Sequence, residues 1–372
     1  MPRTARLLVG NTDHVPDLTY TTGLFVPDSF AWFQTKSGQT RLLVGPLEID
    51  RARRTASVDQ CLDLSLEEKR FGHSKPSYAK LLSSVLLRHR LRSAQVPSNF
   101  PLGLAQQLAR HGIRLLPTPD PFFPSRMKKS PLEVRAITQA IRAAEAGLAR
   151  ATEILRRSQI RRQNRLVWAG SALTSQRLRN EMEIACLRHG ALARDTIVAG
   201  GSQASDPHER GHGPLLAHQT IILDIFPRHS TTGYFGDITR TLVKGRASEA
   251  LHHLWSTVQR GQQKVIRQTH AGANGDKIQN NLRHWFRDQG YPTEIKRGRW
   301  RGFFHGVGHG LGLEIHEAPR FATPRLPLHA VLTIEPGLYL PGLGGVRIED
   351  VFVVQPQGLK KLTRFPHLWE IR

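Results

Sequence analysis

Five residues of metal-ligand type lie in apolar or glycine-rich surroundings: Asp224, Asp237, His309, Glu335 and Glu349. Asp224 lies in the run Thr-Ile-Ile-Leu-Asp-Ile-Phe, whose β-branched residues predict a buried strand. Asp237 stands at the start of a second predicted strand, and the two glutamates lie within further strand-like runs. Burying an unpaired carboxylate is costly, so each acid needs a partner or a metal. We expect a hairpin to bring the two aspartates together.

Four carboxylates and one imidazole form a hard, oxygen-rich set of ligands. Such a set suits Mn²⁺ first, and also Co²⁺, Fe²⁺ or Zn²⁺. Two ions about 3.5–4 Å apart can lower the pKa of a shared water and polarise the carbonyl that this water attacks. The pattern therefore predicts a hydrolase with two divalent ions. For any single acid, an ordinary ion pair with an arginine remains the alternative.

The segments that carry these residues resemble the pita-bread metallopeptidases of peptidase family M24, and most closely Xaa-Pro aminopeptidase and prolidase. The matching motifs lie within residues 223–241, 305–317, 333–339 and 345–350, and the longest reads His-Gly-Val-Gly-His-Gly-Leu-Gly-Leu-Glu-Ile-His-Glu. The resemblance implies an α/β (α+β) fold in which a creatinase-like N-terminal α/β domain precedes a pita-bread catalytic domain.

The same resemblance implies roles for the five residues. All five would bind two divalent metals, with Asp237 and Glu349 bridging the ions. Asp224 and His309 would each serve one ion, and Glu335 would also act as the general base. Creatinase-like relatives lack this metal set and fit less well.

Further histidines could supply donors for a tetrahedral intermediate and a leaving prolyl nitrogen. Glycines on both sides of His309 let the backbone turn tightly and approach closely. By resemblance, His305 and His316 contact substrate and not metal. His208, sixteen residues before Asp224, is the third expected member of this group.

Two segments carry sequences that are not part of the pattern of the family that the chain resembles: residues 208–212 and the residues after Asp224. Residues 208–212 match the H-E-x-x-H zincin motif, but that motif requires a helix, and Pro207, Gly211 and Pro214 argue against one. After Asp224, the resemblance leads us to expect a small residue and glycine, whereas this chain has Ile-Phe-Pro-Arg-His. We expect a bulging turn here and a reshaped substrate pocket, with the metal ligands retained.

Composition agrees with a cytoplasmic enzyme of two domains. The chain has 372 residues and 39% hydrophobic content, and no run is long enough to span a membrane. The first ten residues contain too short an apolar stretch for a signal peptide. Cys61 and Cys186 are far apart, which predicts reduced packing residues. The formal charge of +23 favours polyanion binding, but the arginines are scattered, so nucleic acid is not expected as a specific partner.

Proline-rich residues 117–124 predict a linker between domains 1–125 and 126–372. In the first domain we expect strands at 6–9, 18–23, 30–33 and 41–44, and a helix at 102–111. Ser130 begins a capping box, which predicts a helix starting at that residue. Three more helices are expected, at 174–190, at 248–270 and at 275–289. In relatives of the family that this chain resembles, the first domain shapes the substrate pocket and mediates dimerisation, which implies a homodimer.

The leading hypothesis is an exopeptidase that cleaves the bond before a proline at the second position of a peptide, either an Xaa-Pro aminopeptidase or an Xaa-Pro dipeptidase. A second hypothesis is a pita-bread protein that only binds. Retention of all five ligand-type residues argues against it. A third is a polyanion-binding protein that uses the basic surface, which salt sensitivity would reveal.

Overall fold

The computed structural model describes residues 4–372, so the first three residues of the stretch considered above as a signal peptide lie outside the described part. The chain divides into two compact units, with one ending at Pro124 and the other starting at Ser125. Among residues 4–372, every helix is too short or too polar to cross a lipid bilayer.

The first unit is an α/β layer structure. Its helices are α1 (Pro16–Thr22), α2 (Ile49–Thr55), α3 (Leu64–Lys69), α4 (Tyr78–Arg88) and α5 (Leu102–Arg110). Its strands are β1 (Arg6–Gly10), β2 (Phe30–Gln34), β3 (Thr40–Val44), β4 (Gln60–Asp63), β5 (Ser93–Pro97) and β6 (Arg114–Thr118). They form one mixed sheet in the order β4-β3-β2-β1-β5-β6. Leu7 and Leu8 point to opposite faces and belong to separate buried clusters, so both faces of this sheet are covered.

One strand prediction for this unit is wrong. Residues 18–23, whose threonines suggest a strand, lie mostly within helix α1. Pro16 occupies the first turn of the helix, and Gly23 ends it in the left-handed conformation. The hydroxyls of Thr21 and Thr22 donate to the carbonyls four residues earlier, at 2.8 and 2.6 Å. This local bonding satisfies the threonine hydroxyls inside a helix and removes their usual preference for a strand.

The second unit is larger and mixes long helices with several sheets. Its helices are α6 (Pro131–Arg157), α7 (Ser175–Arg188), α8 (Glu249–Gln268) and α9 (Gly275–Asp288). Its first strands are β7 (Gln159–Ile160), β8 (Leu166–Trp168), β9 (Ser171–Ala172), β10 (Ala191–Leu192), β11 (Ile197–Gly200), β12 (Thr220–Ile225), β13 (Arg228–His229) and β14 (Ile238–Lys244). Later strands are β15 (Glu294–Lys296), β16 (Arg299–Arg301), β17 (His309–Gly310), β18 (Glu317–Arg320), β19 (Val331–Ile334), β20 (Gly337–Leu340), β21 (Gly344–Arg347), β22 (Asp350–Gln355), β23 (Gly358–Lys361) and β24 (Glu370–Ile371).

Two sheets of this unit carry the residues of interest. One has the order β11-β12-β14-β24 and the other β18-β17-β19-β22-β23, while β20 and β21 form a separate hairpin. Helix α6 begins with the expected capping box of Ser130 and Glu133. Apolar residues of α6 and α7 pack with β12 and β14, and apolar residues of α8 and α9 pack with β19 and β22.

The expected strand positions of the two glutamates need correction. Glu335 directly follows β19, and Glu349 lies between β21 and β22, so neither is inside a strand. Pro336 has no N–H with which to continue the ladder after Glu335. Residues 208–212 are not helical, as Pro207, Gly211 and Pro214 predict.

Candidate metal centre

The two aspartates are brought together by strand pairing. β12 and β14 are antiparallel, and Asp224 stands opposite Thr239, two residues after Asp237. Side chains two residues apart lie on the same face of a strand, so both carboxylates lie on one face of this sheet. The expected hairpin is present, and its connection contains β13, which pairs with β10. The register continues without a shift from the Ile225–Ile238 pair to the bridge between Arg228 and Phe235, so the bulge expected from the Ile-Phe-Pro-Arg-His sequence is not observed here.

His309 is held by close approach of the backbone on both sides. A Cβ on Gly308 would lie 2.0 Å from the carbonyl oxygen of Thr333, and one on Gly310 would lie 2.6 Å from that of Ala318. Only glycine fits at both positions. The backbone N–H of His309 donates to Oγ1 of Thr333 over 3.1 Å. The imidazole is therefore fixed in a buried position, 4% exposed.

Glu335 and Glu349 complete the cluster from the breaks between strands. The N–H of Glu335 donates to the carbonyl of Val307 over 2.8 Å, and that of Glu349 donates to the carbonyl of Thr239 over 3.1 Å. Oγ1 of Thr239 also donates to Oε2 of Glu349 over 2.8 Å. Nε2 of His309 lies 3.3 Å from Oε1 of Glu335 and 3.7 Å from Oδ2 of Asp237.

The donor set fits a cation. One ligand atom from each of Asp237, His309 and Glu349 lies within 4.8 Å of the other two. Oδ1 of Asp224 and Oε1 of Glu349 are buried and have no hydrogen-bond partner among residues 4–372. Nδ1 of His309 lies 3.2 Å from the carbonyl of Gly310, and when it donates there, the Nε2 lone pair faces carboxylates. A cation between these groups would satisfy all of them.

The electrostatics of the cluster point the same way. Burial and the neighbouring carboxylates, first that of Glu349, raise the pKa of Asp237 well above its ordinary value. Burial and the charge of Glu335 likewise raise the pKa of Glu349. Burial also acts to raise the pKa of Glu335, but the hydrogen bond with His309 and the charges of His309, His305 and Arg347 together outweigh burial and lower the pKa to about 2. Several carboxylates cannot all ionise here unless positive charge is added.

Asp224 pairs with an arginine. An ordinary ion pair of this kind was the alternative to metal binding for each of the four acids. Nη2 of Arg347 donates to Oδ2 of Asp224 over 2.6 Å. Nη1 of the same guanidinium donates to the hydroxyl of Tyr339 over 2.9 Å, and that hydroxyl lies 3.0 Å from Nε2 of His305. This pairing engages one carboxylate oxygen of Asp224 and leaves the other available as a ligand.

All three further histidines line one open cavity of about 510 Å³ together with the five ligand-type residues. His316 packs edge-on against His309, with ring centroids 4.4 Å apart. Burial, followed by the charge of His309, lowers the pKa of His316 to about 4, and burial lowers the pKa of His305. Both imidazoles are therefore neutral at neutral pH. His208 lies on the cavity wall and is exposed.

Among the other residues that line this cavity, Phe226, Arg320 and Tyr339 had not been assigned a role from the sequence. Tyr339 and Arg320 lie in or beside the motifs quoted above, yet no residue-type pattern marks them as site residues. Phe226 was noted only as a departure after Asp224. Strand alternation could have placed it, because it is two residues after Asp224 and therefore on the same face.

The chain is similar to known metallopeptidases in sequence and in fold. The sequence model of metallopeptidase family M24 matches residues 135–356. An Xaa-Pro dipeptidase of Pyrococcus furiosus is 33% identical over 176 residues, which are 46% of this chain and about half, 48%, of the relative. An Xaa-Pro dipeptidase of Pyrococcus horikoshii is 28% identical over 282 residues, 74% of each chain.

The fold likeness extends over the whole chain. The crystal structure of an X-Pro aminopeptidase from Thermotoga maritima superposes with a TM-score of 0.81 and 23% identity, covering 99% of this chain and 97% of the other. The likeness confirms the predicted fold class, a creatinase-like α/β part followed by a pita-bread part.

Proposed function

Because this chain belongs to metallopeptidase family M24, we propose that it is a dinuclear-metal-dependent exopeptidase that hydrolyses the peptide bond N-terminal to proline. The observation that carries the proposal is the buried cluster of Asp237, His309 and Glu349, whose ligand atoms converge within 4.8 Å. A protein that only binds has no chemical reason to keep repelling carboxylates together, so a non-catalytic role is not favoured.

Two ions would be held by Asp224, Asp237, His309, Glu335 and Glu349, and Asp237 and Glu349 would each be shared between them. Two divalent ions, Mn²⁺ in the first place and Co²⁺, Zn²⁺ or Fe²⁺ as substitutes, would lower the pKa of a shared water and polarise the substrate carbonyl.

The chain's own groups would move the protons. Glu335 would take a proton from the attacking water. As the carbonyl carbon gains the water oxygen and loses the prolyl nitrogen, this proton passes to that nitrogen. His208, His305 and His316 contact the substrate, and the neutral imidazoles of His305 and His316 position it through hydrogen bonds.

The cavity contains one feature that favours the dipeptidase branch. Arg320 is an exposed guanidinium on its wall, and its Nη2 donates to the carbonyl of His316 over 3.4 Å. An arginine at this point suits the carboxylate of a short Xaa-Pro substrate. In a longer peptide the same position would face a neutral amide, which gains less from the charge.

We also propose a cytoplasmic homodimer with a peptide substrate and no specific nucleic-acid partner. Free Cys61 and buried Cys186 are compatible with a reducing compartment. The dimer follows from the likeness to the family, and sedimentation analysis at micromolar concentration would test it.

The test of function is hydrolysis of Ala-Pro and Ala-Pro-Ala by chelator-stripped protein reloaded with Mn²⁺, Co²⁺ or Zn²⁺. We expect metal-dependent cleavage before proline in the wild type and its loss in Asp237→Ala. A ratio of kcat/KM that favours the dipeptide would identify the dipeptidase branch. Absence of turnover with every metal, despite bound ions, would contradict the proposed activity.

A further inference from the structure

Phe226 lies beside both aspartates of the metal centre. The β12–β14 register pairs Asp224 with Thr239 and Ile225 with Ile238, so one step further Phe226 stands opposite Asp237. Residues opposite each other in an antiparallel pair share a face, with Cβ atoms about 4.5–5.5 Å apart. The aromatic side chain therefore shares the sheet face of the two carboxylates, and it lines the cavity.

The backbone holds this aromatic group in place. Buried Pro227 follows it and has no N–H with which to continue the ladder. The carbonyl of Pro227 accepts a hydrogen bond from the N–H of Gly236 over 2.9 Å, which closes the connection just before Asp237. Phe226 itself is half-buried, so part of its ring faces the open space of the cavity.

The cavity lining that includes Phe226 also contains other apolar side chains. On the other side of β12, Ile197 stands opposite Asp224 and also faces the cavity, as does half-buried Ile315. These three side chains offer no polar group, in contrast to the part of the cavity around His316 and Arg320. A hydrocarbon side chain is accepted beside such groups, whereas a carboxylate would be left unpaired there.

The charges of the substrate give its direction in the cavity. The proposed chemistry requires the scissile carbonyl to lie at the metal centre, and the prolyl carboxylate of a dipeptide is attracted to Arg320. The side chain of the first residue then lies over the sheet face that carries Asp224, Asp237 and Phe226. We propose, on the basis of the function proposed above, that Phe226 is a specificity-determining residue that restricts the first residue of the substrate to small side chains.

The expected effect is a change in selectivity. The wild type should hydrolyse Gly-Pro and Ala-Pro with a higher kcat/KM than Leu-Pro or Phe-Pro. Removing the ring in Phe226→Ala opens space beside the aspartates, so the ratio of kcat/KM for Leu-Pro to that for Ala-Pro should rise by about tenfold or more, the usual scale for pocket-size discrimination. Phe226→Leu should give an intermediate ratio.

The experiment measures kcat/KM for these four dipeptides with Mn²⁺-loaded wild type, Phe226→Ala, Phe226→Leu and Phe304→Ala. Phe304 is a matched control because it is an aromatic residue of the same cavity that packs against Tyr339, with ring centroids 5.5 Å apart. A raised Leu-Pro to Ala-Pro ratio in Phe226→Ala and not in Phe304→Ala supports the proposal.

An unchanged ratio in Phe226→Ala, or an equal rise in Phe304→Ala, would overturn the proposal. Turnover of Ala-Pro by the wild type separates this failure from failure of the proposed function. The metal content of each variant, which should equal that of the wild type, shows whether a variant has folded with its centre intact.

Discussion

At the scale of single residues, the neighbouring buried acids Glu349 and Asp350 have pKa values that are shifted in opposite directions. Asp350 receives Nη2 of Arg240 at 2.8 Å, Nζ of Lys361 at 2.9 Å and Nε2 of His367 at 2.7 Å. Burial alone would raise its pKa, but these partners, first Arg240, hold the pKa well below its usual range. The pKa of Glu349, in contrast, is raised by burial and by nearby carboxylates. Of these two acids, Glu349 is the one whose charge is not already balanced by a paired arginine, lysine or histidine among residues 4–372, so it is the one available to bind a metal.

Metal binding should therefore release protons. In the metal-free protein, the raised pKa of Asp237 and of Glu349 keeps protons in the cluster at pH values where free carboxyl groups are ionised. A metal displaces these protons, so its affinity should rise with pH and fall as pH falls. Titration calorimetry in two buffers of different ionisation enthalpy measures the release, which we expect to be about one proton per cluster. Equal heats in both buffers would contradict this expectation.

The partners of Asp350 should differ in importance. Arg240 is 1% exposed and also donates to the carbonyl of Glu349 over 2.6 Å, so Arg240→Met leaves Asp350 short of its main buried partner. We expect a loss of about 3–5 kcal/mol in the free energy of unfolding, measured in urea. Lys361→Met is the control: the Lys361 side chain is 40% exposed, and we expect less than about 1 kcal/mol. Similar losses in the two variants would refute this ranking.

At the scale of elements, backbone crowding around β17 decides where His309 points. Gly306 and Gly308 lie in the same segment but differ in the space around them. A Cβ added to Gly306 would lie 3.9 Å from its nearest neighbour, the carbonyl oxygen of Gly308, whereas a Cβ added to Gly308 would lie 2.0 Å from the carbonyl oxygen of Thr333. Gly308→Ala should displace the strand, lower the free energy of unfolding and weaken metal binding by tenfold or more, about the scale of disturbed ligand support. Gly306→Ala should match the wild type in unfolding. Thermal unfolding and metal titration test both, and a tolerated Gly308→Ala would be inconsistent with the described packing.

The elements also show what the sequence could and could not predict. The strand around Asp224, the helices α6 to α9 and the capping box of Ser130 followed from periodicity and local signals. Helix α1 was missed because its threonines satisfy their hydroxyls on the helix's own carbonyls, which composition does not reveal. The Arg347–Asp224 pair joins segments that are distant in the sequence, and no local pattern encodes it.

At the scale of the whole molecule, the net charge of +23 should act separately from the proposed site. We expect weak binding of single-stranded DNA at low salt that is lost steeply as salt rises, because phosphate contacts release counterions. Hydrolysis of a dipeptide with no net charge should depend less on salt than DNA binding does, because it involves one exposed ion pair and not a row of phosphates. Fluorescence anisotropy and dipeptide turnover at increasing NaCl would measure the two effects. Salt-resistant, sequence-selective DNA binding would instead favour a specific nucleic-acid role.

The most direct test of the central claim is the number of divalent ions bound per chain. Equilibrium dialysis of chelator-stripped protein against Mn²⁺, followed by elemental analysis, should give two ions per chain in the wild type. Asp237→Ala removes a proposed bridging ligand and should bind fewer. If the wild type binds no Mn²⁺, Co²⁺ or Zn²⁺, or if Asp237→Ala binds as many ions as the wild type, the account of this cluster as a two-metal centre is wrong.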